Sequence, residues 1–302
     1  MQNPKLAQIK TKDGLILPGL LYEALRSKKV AIYLHGNGSS SVFYNDDRQD
    51  EQVKALDKKS ISFLLFNNRG AHLIKKLDVT KKGKKERKCF GMAYEKIKDC
   101  IKDIDGAINY LEKLGYKEFY LIGESTGANK ICAYHYHKPK NKVSKYILLS
   151  GGDDTGIYYD ILGEKKFFKL LKESKEKINK KRGEEIIKEL LPDNIFSYIG
   201  FYDIANPDGD YNCFPFLEVI KSIKLSKKQL FRHFKSINKP TLVVYGGEDK
   251  YAWGNVPRIV EILKEQKPEF GYKIIKKADH GFSEHQRELS RIISNWLSLD
   301  KN

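Results

Sequence analysis

Short apolar segments alternate with helical segments along most of the chain, and this alternation constrains the fold more than any other feature. Strands alternating with helices predict an α/β fold with a mostly parallel sheet covered by helices on both faces. Residues 5–11 and 15–24 flank Asp13-Gly14 and predict an antiparallel hairpin at one edge. Six further strands are predicted at 30–34, 61–66, 118–122, 146–149, 241–245 and 272–275. Helices are predicted at 47–59, 93–114, 128–137, 255–266 and 283–298.

The most informative local motif is Gly-Glu-Ser-Thr-Gly at residues 123–127, between the strand at 118–122 and the helix after it. A serine at such a junction is held in a strained turn with its hydroxyl projecting outward. The two glycines remove side chains that would clash where helix and strand cross. The next backbone N–H, that of Thr126, lies at a helix N-terminus, where it can stabilise an oxyanion. The motif therefore predicts Ser125 as a nucleophile.

A serine nucleophile needs a base and an acid that orients the base, and both follow at other strand ends. Asp249 lies in a Gly-Gly-Glu-Asp turn directly after the strand at 241–245, and His280 lies after the strand at 272–275. The order Ser125, Asp249, His280 is that of one known hydrolase arrangement. Asp153 and Asp154 follow the strand at 146–149 and are the alternative candidates for the acid.

These motifs, spread over residues 30–297, resemble the α/β-hydrolase superfamily. The resemblance implies a Ser-His-Asp triad and an oxyanion hole formed in part by the loop at residues 35–38, His-Gly-Asn-Gly, with no cofactor. The Gly-x-Ser-Thr-Gly segment is also similar to DUF1749-type hydrolases and siderophore-ester hydrolases. The roles implied are Ser125 as nucleophile, Asp249 as acid, His280 as base, and the backbone N–H groups of Asn37 and Thr126 as oxyanion donors.

Two residues depart from the superfamily pattern. Glu124 precedes the serine where histidine is common, and a carboxylate close to His280 would raise the pKa of that histidine. The preferred alternative places Glu124 in a solvated or paired position. Asn67, in the Asn-Asn-Arg-Gly loop at 67–70 that resembles a supporting loop of the superfamily, stands where aspartate is often found.

Residues 153–238 interrupt the alternation, because they contain helical and highly charged segments without a clear strand. We expect a helical cap there, inserted into a core formed by residues 1–152 and 239–302. The aromatic residues of this segment either join the cap to the core or line an acyl or aromatic pocket. They are Phe196, Tyr198, Phe201, Tyr202, Tyr211, Phe214 and Phe216.

Composition narrows the partners of the protein. The chain of 302 residues has 56 lysines and arginines against 39 acidic residues, a formal charge of +17. Its lysines are scattered over the presumed helix faces and its densest basic cluster, residues 75–88, is predicted to be a solvated loop. A basic surface without a nucleic-acid partner is therefore preferred over an anionic substrate or surface. The sequence contains no run of about 18 apolar residues, so we do not expect a membrane-spanning helix.

The cysteine pattern bears on location and metals. The four cysteines show no Cys-x-x-Cys pairing, and residues 1–12 contain no apolar stretch typical of a secretory signal. These features favour a cytoplasmic protein with reduced thiols and no metal site. His135 and His137 do not share a helical face, so we do not expect them to bind a metal together.

The sequence thus predicts a serine hydrolase that cleaves a carboxylic ester of a small-molecule acyl substrate through an acyl-enzyme. One alternative is hydrolysis of another acyl bond, such as a peptide, thioester or siderophore ester. The other is a catalytically silent ligand-binding protein of the same fold.

Overall fold

Eight strands form one sheet in a computed structural model that describes residues 3–43 and 48–299. Two more strands, β5 and β6, pair with each other as a separate hairpin. In chain order the strands are β1 (Lys5–Lys10), β2 (Ile16–Tyr22), β3 (Lys29–Leu34), β4 (Ser62–Phe66), β5 (Lys75–Lys81), β6 (Lys84–Phe90), β7 (Glu118–Glu124), β8 (Val143–Leu149), β9 (Thr241–Gly246) and β10 (Gly271–Ile275).

The strand order in the large sheet is β1-β2-β4-β3-β7-β8-β9-β10. From β4 to β10 every neighbouring pair is parallel, whereas β1–β2 and β2–β4 are antiparallel. Parallel strands place their carboxyl ends at one edge of the sheet, so the loops that follow β3, β7, β8, β9 and β10 meet there. The predicted fold class and the predicted antiparallel hairpin at one edge are both confirmed.

Ten α-helices lie in the described part of the chain, and those outside the β8–β9 connection cover both faces of the sheet. One face packs against α2, α3 and α9, and the other against α1 and α10. In chain order the helices are α1 (Arg48–Asp57), α2 (Cys100–Lys113), α3 (Thr126–His137), α4 (Asp154–Leu162), α5 (Glu164–Asn179), α6 (Tyr198–Ala205), α7 (Phe216–Ile220), α8 (Arg232–Ser236), α9 (Val256–Gln266) and α10 (Gln286–Ser298).

The hydrophobic pattern explains why these helices dock as they do. Helix α2 buries Ile104, Ala107, Ile108 and Leu111, whose spacing of three and four residues forms one apolar stripe. Strands β4 and β8 are buried almost throughout, as expected of strands with helices on both faces. Two hydrophobic clusters, one on each face of the sheet, result from this double covering.

Two expectations about local structure are wrong. Residues 75–88 form most of the β5–β6 hairpin rather than a loop, with Lys82 and Gly83 at the turn in positive-φ conformations. The helix predicted at 93–114 begins only at Cys100, after two single 3₁₀ turns. Residue 47 of the first predicted helix lies outside the described residues, as do the first two and last three residues of the predicted core.

The chain between β8 and β9 contains helices α4 to α8 and has its own hydrophobic cluster, which includes Phe167, Phe196 and Phe201. Ala133 of α3 belongs to the same cluster and so joins this connection to the main sheet. The division into a core and a cap stays a prediction. Within the described ranges, no helix combines the length and apolar character needed to cross a bilayer.

Candidate active site

Strand β7 ends at Glu124 and helix α3 begins at Thr126, so Ser125 alone makes the turn between them. Its backbone has φ 54° and ψ −124°, a conformation that is unfavourable for a residue with a side chain. Such strain persists only where the surroundings enforce it, and here β7 is paired on both sides, with β3 and β8. The Ser125 N–H also donates to the Leu149 carbonyl at 2.8 Å, which fixes the turn against β8.

The two glycines of the motif are required by close backbone approach. A Cβ atom on Gly123 would lie 2.3 Å from the Gly127 carbonyl oxygen, and one on Gly127 would lie 2.1 Å from the Leu34 carbonyl oxygen. Both distances are far below van der Waals contact. Any side chain at either position would therefore push α3 away from β7 or β3 and displace Ser125.

Asp249 and His280 are brought together by the loops after β9 and β10. The His280 Nδ1 atom lies 2.9 Å from both carboxylate oxygens of Asp249, whose side chain is buried. Gly246 permits this approach, because a Cβ atom there would lie 2.2 Å from the Asp279 carbonyl oxygen. The Tyr251 ring packs edge-on against the imidazole, with centroids 4.7 Å apart. The position of the histidine ring is thus set on two sides.

Asp153, an alternative candidate for the acid, is engaged elsewhere. Its carboxylate accepts hydrogen bonds from the backbone N–H groups of Gly156 at 2.8 Å and Leu217 at 2.7 Å. It therefore caps the start of α4 and anchors the chain near α7. Burial, the largest influence, raises the pKa of Asp153 to about 7.

The loop after β3 lies against the serine. A Cβ atom on Gly36 would lie 3.0 Å from the Ser125 Cβ, so this loop passes directly over the turn. His35 is buried with Nδ1 2.9 Å from the Gly36 carbonyl oxygen, and burial lowers its pKa well below the usual value, which keeps the ring neutral. Thr126 is the first residue of α3, where backbone N–H groups have no partner within the helix.

Asn67 fixes the same loop farther along. Its side-chain oxygen accepts from the backbone N–H groups of Ser41 at 2.7 Å and Val42 at 2.9 Å, and its Nδ2 donates to the Val42 carbonyl at 3.0 Å. An ionised aspartate could make the first two contacts but has no proton for the third. The departure from the superfamily pattern at Asn67 thus has a structural reason.

A cavity of 370 Å³ opens over these residues at the carboxyl edge of the sheet. Its volume falls in the range of small-molecule sites. Ser125 and His280 both line it, together with Asn37 from the β3 loop and Tyr251 from the β9 loop. The β8–β9 connection supplies the remaining lining residues, which are Gly152, Asp154, Ile157, Tyr158, Ile161 and Asn194.

Several charges act on His280. Burial lowers the pKa of His280, but the hydrogen bond and charge of Asp249, followed by the charges of Glu124 and Asp154, outweigh it, so the net pKa lies above the usual value. Burial, followed by the charge of Asp153, raises the pKa of Asp154 to about 7. The cavity thus contains a histidine with a raised pKa and a carboxyl group with a pKa of about 7.

Glu124 occupies a buried, hydrogen-bonded position. Its Oε2 accepts from the Tyr33 hydroxyl at 2.5 Å, across the β3–β7 pair. This agrees with the preferred alternative of a paired position. Its charge still reaches His280 and raises the pKa of that histidine, as expected of a carboxylate close to it.

The sequence model of one protein family matches residues 89–298, more than two thirds of the chain, and this segment contains Ser125, Asp249 and His280. The chain belongs to the DUF1749 family. That family is described as a protein family of unknown function. No curated protein sequence matches the chain.

Solved structures show which fold this DUF1749 member has. It is similar to Est1E from Butyrivibrio proteoclasticus with bound ferulic acid, at a TM-score of 0.62 and 15% identity, over 96% of this chain and 97% of that one. It is also similar to an esterase of Pyrococcus furiosus (TM-score 0.56, 16% identity, 98% and 90% covered) and to carboxylesterase CesB of Bacillus subtilis (TM-score 0.56, 16% identity, 98% and 92% covered). These likenesses establish the α/β-hydrolase fold.

Sequence reasoning missed the aromatic lining of the cavity. Among the described residues, none of the seven aromatic side chains singled out between 196 and 216 lines it, and all but Tyr202 are buried in hydrophobic clusters. The rings that do line it are Tyr158 and Tyr251. Tyr251 lies two residues after Asp249. The turn that carries Asp249, the candidate acid, could therefore have indicated Tyr251 as a lining residue.

Proposed function

We propose that this protein is a serine hydrolase that cleaves carboxylic esters through an acyl-enzyme, with Ser125 as nucleophile, His280 as base and Asp249 as acid. The observation that supports it most is the Asp249–His280 pair, whose histidine lines the same cavity as a serine held in a strained turn. Three side chains from distant parts of the chain rarely converge in this way without a catalytic role.

The first half of the reaction forms an ester between enzyme and acyl group. The Ser125 Oγ attacks the substrate carbonyl carbon while its proton passes to Nε2 of His280. Asp249 holds the opposite ring nitrogen and stabilises the imidazolium that results. The tetrahedral intermediate then collapses, and the leaving alcohol takes the proton from His280.

The second half repeats the sequence with water. His280 removes a proton from the water as its oxygen attacks the acyl carbonyl, and Ser125 leaves with that proton. In both halves the backbone N–H groups of Asn37 and Thr126 would bind the negative oxygen. Each such donor is worth about 2.7–4 kcal/mol of transition-state stabilisation. No cofactor takes part in this scheme.

The β8–β9 connection supports a further part of the proposal, that residues 153–238 act as a cap that selects the acyl group. Tyr158, Ile157 and Ile161 on α4 line the same cavity as Ser125 and His280. An apolar wall with tyrosines suits a medium-length acyl or aromatic ester, and the similar esterase Est1E was solved with ferulic acid bound.

The free cysteines support a cytoplasmic location.

Covalent labelling tests the nucleophile directly. We expect a fluorophosphonate probe to label the protein once, on the peptide that contains Ser125, and p-nitrophenyl butyrate to be hydrolysed and to slow that labelling. A panel of acyl lengths and feruloyl esters then ranks substrates. Absence of both labelling and turnover would overturn the proposal in favour of a silent ligand-binding protein.

The acidic limb of the pH profile gives a second prediction. His280 must be unprotonated to act as a base, so kcat/KM rises with pH through a pKa that burial lowers, that Asp249 chiefly raises and that Glu124 and Asp154 raise to a smaller extent. Asp154, with a pKa of about 7, is only partly ionised on this limb, so the variant Asp154→Asn removes a partial charge and moves the acidic limb by a small amount to lower pH. For each protein, kcat/KM is divided by its own plateau value at high pH. At pH values below the wild-type midpoint this normalised kcat/KM should be higher for the variant than for the wild type.

Asp160→Asn is the matched control for this shift. Asp160 lies on the same helix, α4, but is half-exposed and paired with Lys221 at 2.6 Å, outside the cavity. The substitution makes the same change in net charge and should leave the limb in place. An equal shift in both variants would show that net charge, and not proximity to His280, sets the profile.

A further inference from the structure

Two histidines and one aspartate meet at the far end of α3, away from the cavity. Asp210 lies between them, with Oδ2 2.8 Å from His137 Nε2 and Oδ1 3.1 Å from His233 Nε2. One donor atom from each residue lies within 4.8 Å of the other two. Helix α3 runs 12 residues from the serine turn to His137, about 18 Å at 1.5 Å per residue.

We propose that His137, Asp210 and His233 bind a divalent transition-metal ion, for which Zn²⁺ is the natural probe. Two imidazole nitrogens and a carboxylate oxygen form a donor set that zinc and iron(II) accept, with positions left for water. Ligand atoms about 2.1 Å from an ion are separated by about 3.0–3.4 Å in octahedral and tetrahedral geometry. The observed separations of 2.8 and 3.1 Å involve the two different oxygens of Asp210, and one donor atom from each residue lies within 4.8 Å of the other two, so side-chain rotation must bring the three donor atoms around one ion.

The ligands are held in place before any ion arrives. Arg232 donates to the backbone carbonyls of Asp208 and Gly209, which fixes the loop that carries Asp210. The thiol of Cys213 donates to the Asp210 carbonyl at 3.3 Å. His233 is fully buried, whereas the side chains of His137 and Asp210 are 20% and 26% exposed, so the site has a rigid floor and an opening to water.

The charge of the site also suits a cation. Both carboxylate oxygens of Asp210 face a ring nitrogen, Oδ2 towards His137 and Oδ1 towards His233. A carboxylate oxygen and two imidazole nitrogens are donors that zinc accepts.

The positions of the ligands assign the ion a structural role. His137 ends α3, which packs on the sheet, while Asp210 and His233 belong to the β8–β9 connection. An ion there would fasten that connection to the helix that also carries the serine turn. Its distance from Ser125 places it outside the ester chemistry, so this proposal does not depend on the proposed function.

Zinc titration of the tag-free, chelator-dialysed full chain tests the site. We expect saturable binding of one Zn²⁺ per chain by calorimetry and a rise in the thermal midpoint with zinc. His137→Ala, at a partly exposed helix end, should weaken the affinity by at least tenfold and abolish the thermal shift. Asp210→Asn should do the same, and His285→Ala, which removes a histidine outside the cluster, should do neither.

Two results would overturn the proposal. One is the absence of saturable binding at neutral pH in the folded wild type. The other is binding that persists unchanged in both His137→Ala and Asp210→Asn, which would place zinc on scattered surface groups. Should Asp210→Asn fail to fold, His137→Ala alone decides, because its circular dichroism and thermal midpoint without zinc report whether it is folded.

Discussion

Replacing Ser125 by alanine should lower kcat for a hydrolysed ester by about 10⁶-fold and leave KM little changed. The substitution removes the oxygen that forms the acyl-enzyme in the proposed mechanism but keeps the cavity, the Asp249–His280 pair and the proposed oxyanion donors. Only the residual rate enhancement from binding and electrostatics should remain, about 10³–10⁴ over water. Steady-state kinetics with p-nitrophenyl butyrate measure both quantities.

Ser150 offers a matched control. It follows β8 as Ser125 follows β7, it also has a positive φ of 46°, and it is buried without lining the cavity. Ser150→Ala should therefore change kcat by less than tenfold. A Ser125→Ala variant that keeps more than a tenth of the wild-type activity, with contamination excluded by fluorophosphonate labelling, would remove Ser125 from the mechanism.

The second large effect concerns stability. Asp103→Ala should lower the free energy of unfolding by about 3–5 kcal/mol, because it leaves a buried guanidinium with reduced compensation. Arg69 is nearly inaccessible and donates to Asp103 through Nη2 at 2.7 Å and Nε at 2.9 Å, while its backbone N–H donates to the same carboxylate at 2.9 Å. Asp13 would remain as its partner, at 2.9 Å from Nη1. Urea unfolding at pH 7 measures the loss.

An exposed ion pair provides the comparison for Asp103→Ala. Lys85 and Asp78 lie 3.2 Å apart on the β5–β6 hairpin, with side chains 71% and 44% exposed. Asp78→Ala should cost less than about 1 kcal/mol, since solvent screens such pairs. If the two variants lost equal amounts of unfolding free energy, burial would not determine how much these carboxylates contribute to stability.

The sheet could be predicted from the sequence because its central strands, β3, β4 and β7 to β9, are buried on both faces. Runs such as residues 63–66 are apolar without interruption, and each is bounded by turn residues. The β5–β6 hairpin was not predicted, for the opposite reason. Its residues are largely exposed and lysine-rich, so neither apolar alternation nor β propensity distinguishes them from a loop.

The residues of the candidate site could be predicted from the sequence where they lie directly after a strand. Ser125, Asp249 and His280 each follow a recognisable strand, and topology alone places such residues at one edge. The sequence indicated Asp154 only as an alternative candidate for the acid. That its side chain lines the cavity depends on which way the first residue of α4 points. His137, Asp210 and His233 have no common spacing, so they come together only because α3, α8 and the loop that carries Asp210 pack against one another.

The strand order has a consequence for how the protein would lose activity. Strand β7 has neighbours on both sides, whereas β10 is an edge strand with β9 as its single partner. Edge segments exchange their amide hydrogens through local opening, while central strands open only with the whole domain. Transient detachment of β10 would carry His280 away from Ser125, so mild heating should yield a population that is inactive, still folded and able to recover on cooling.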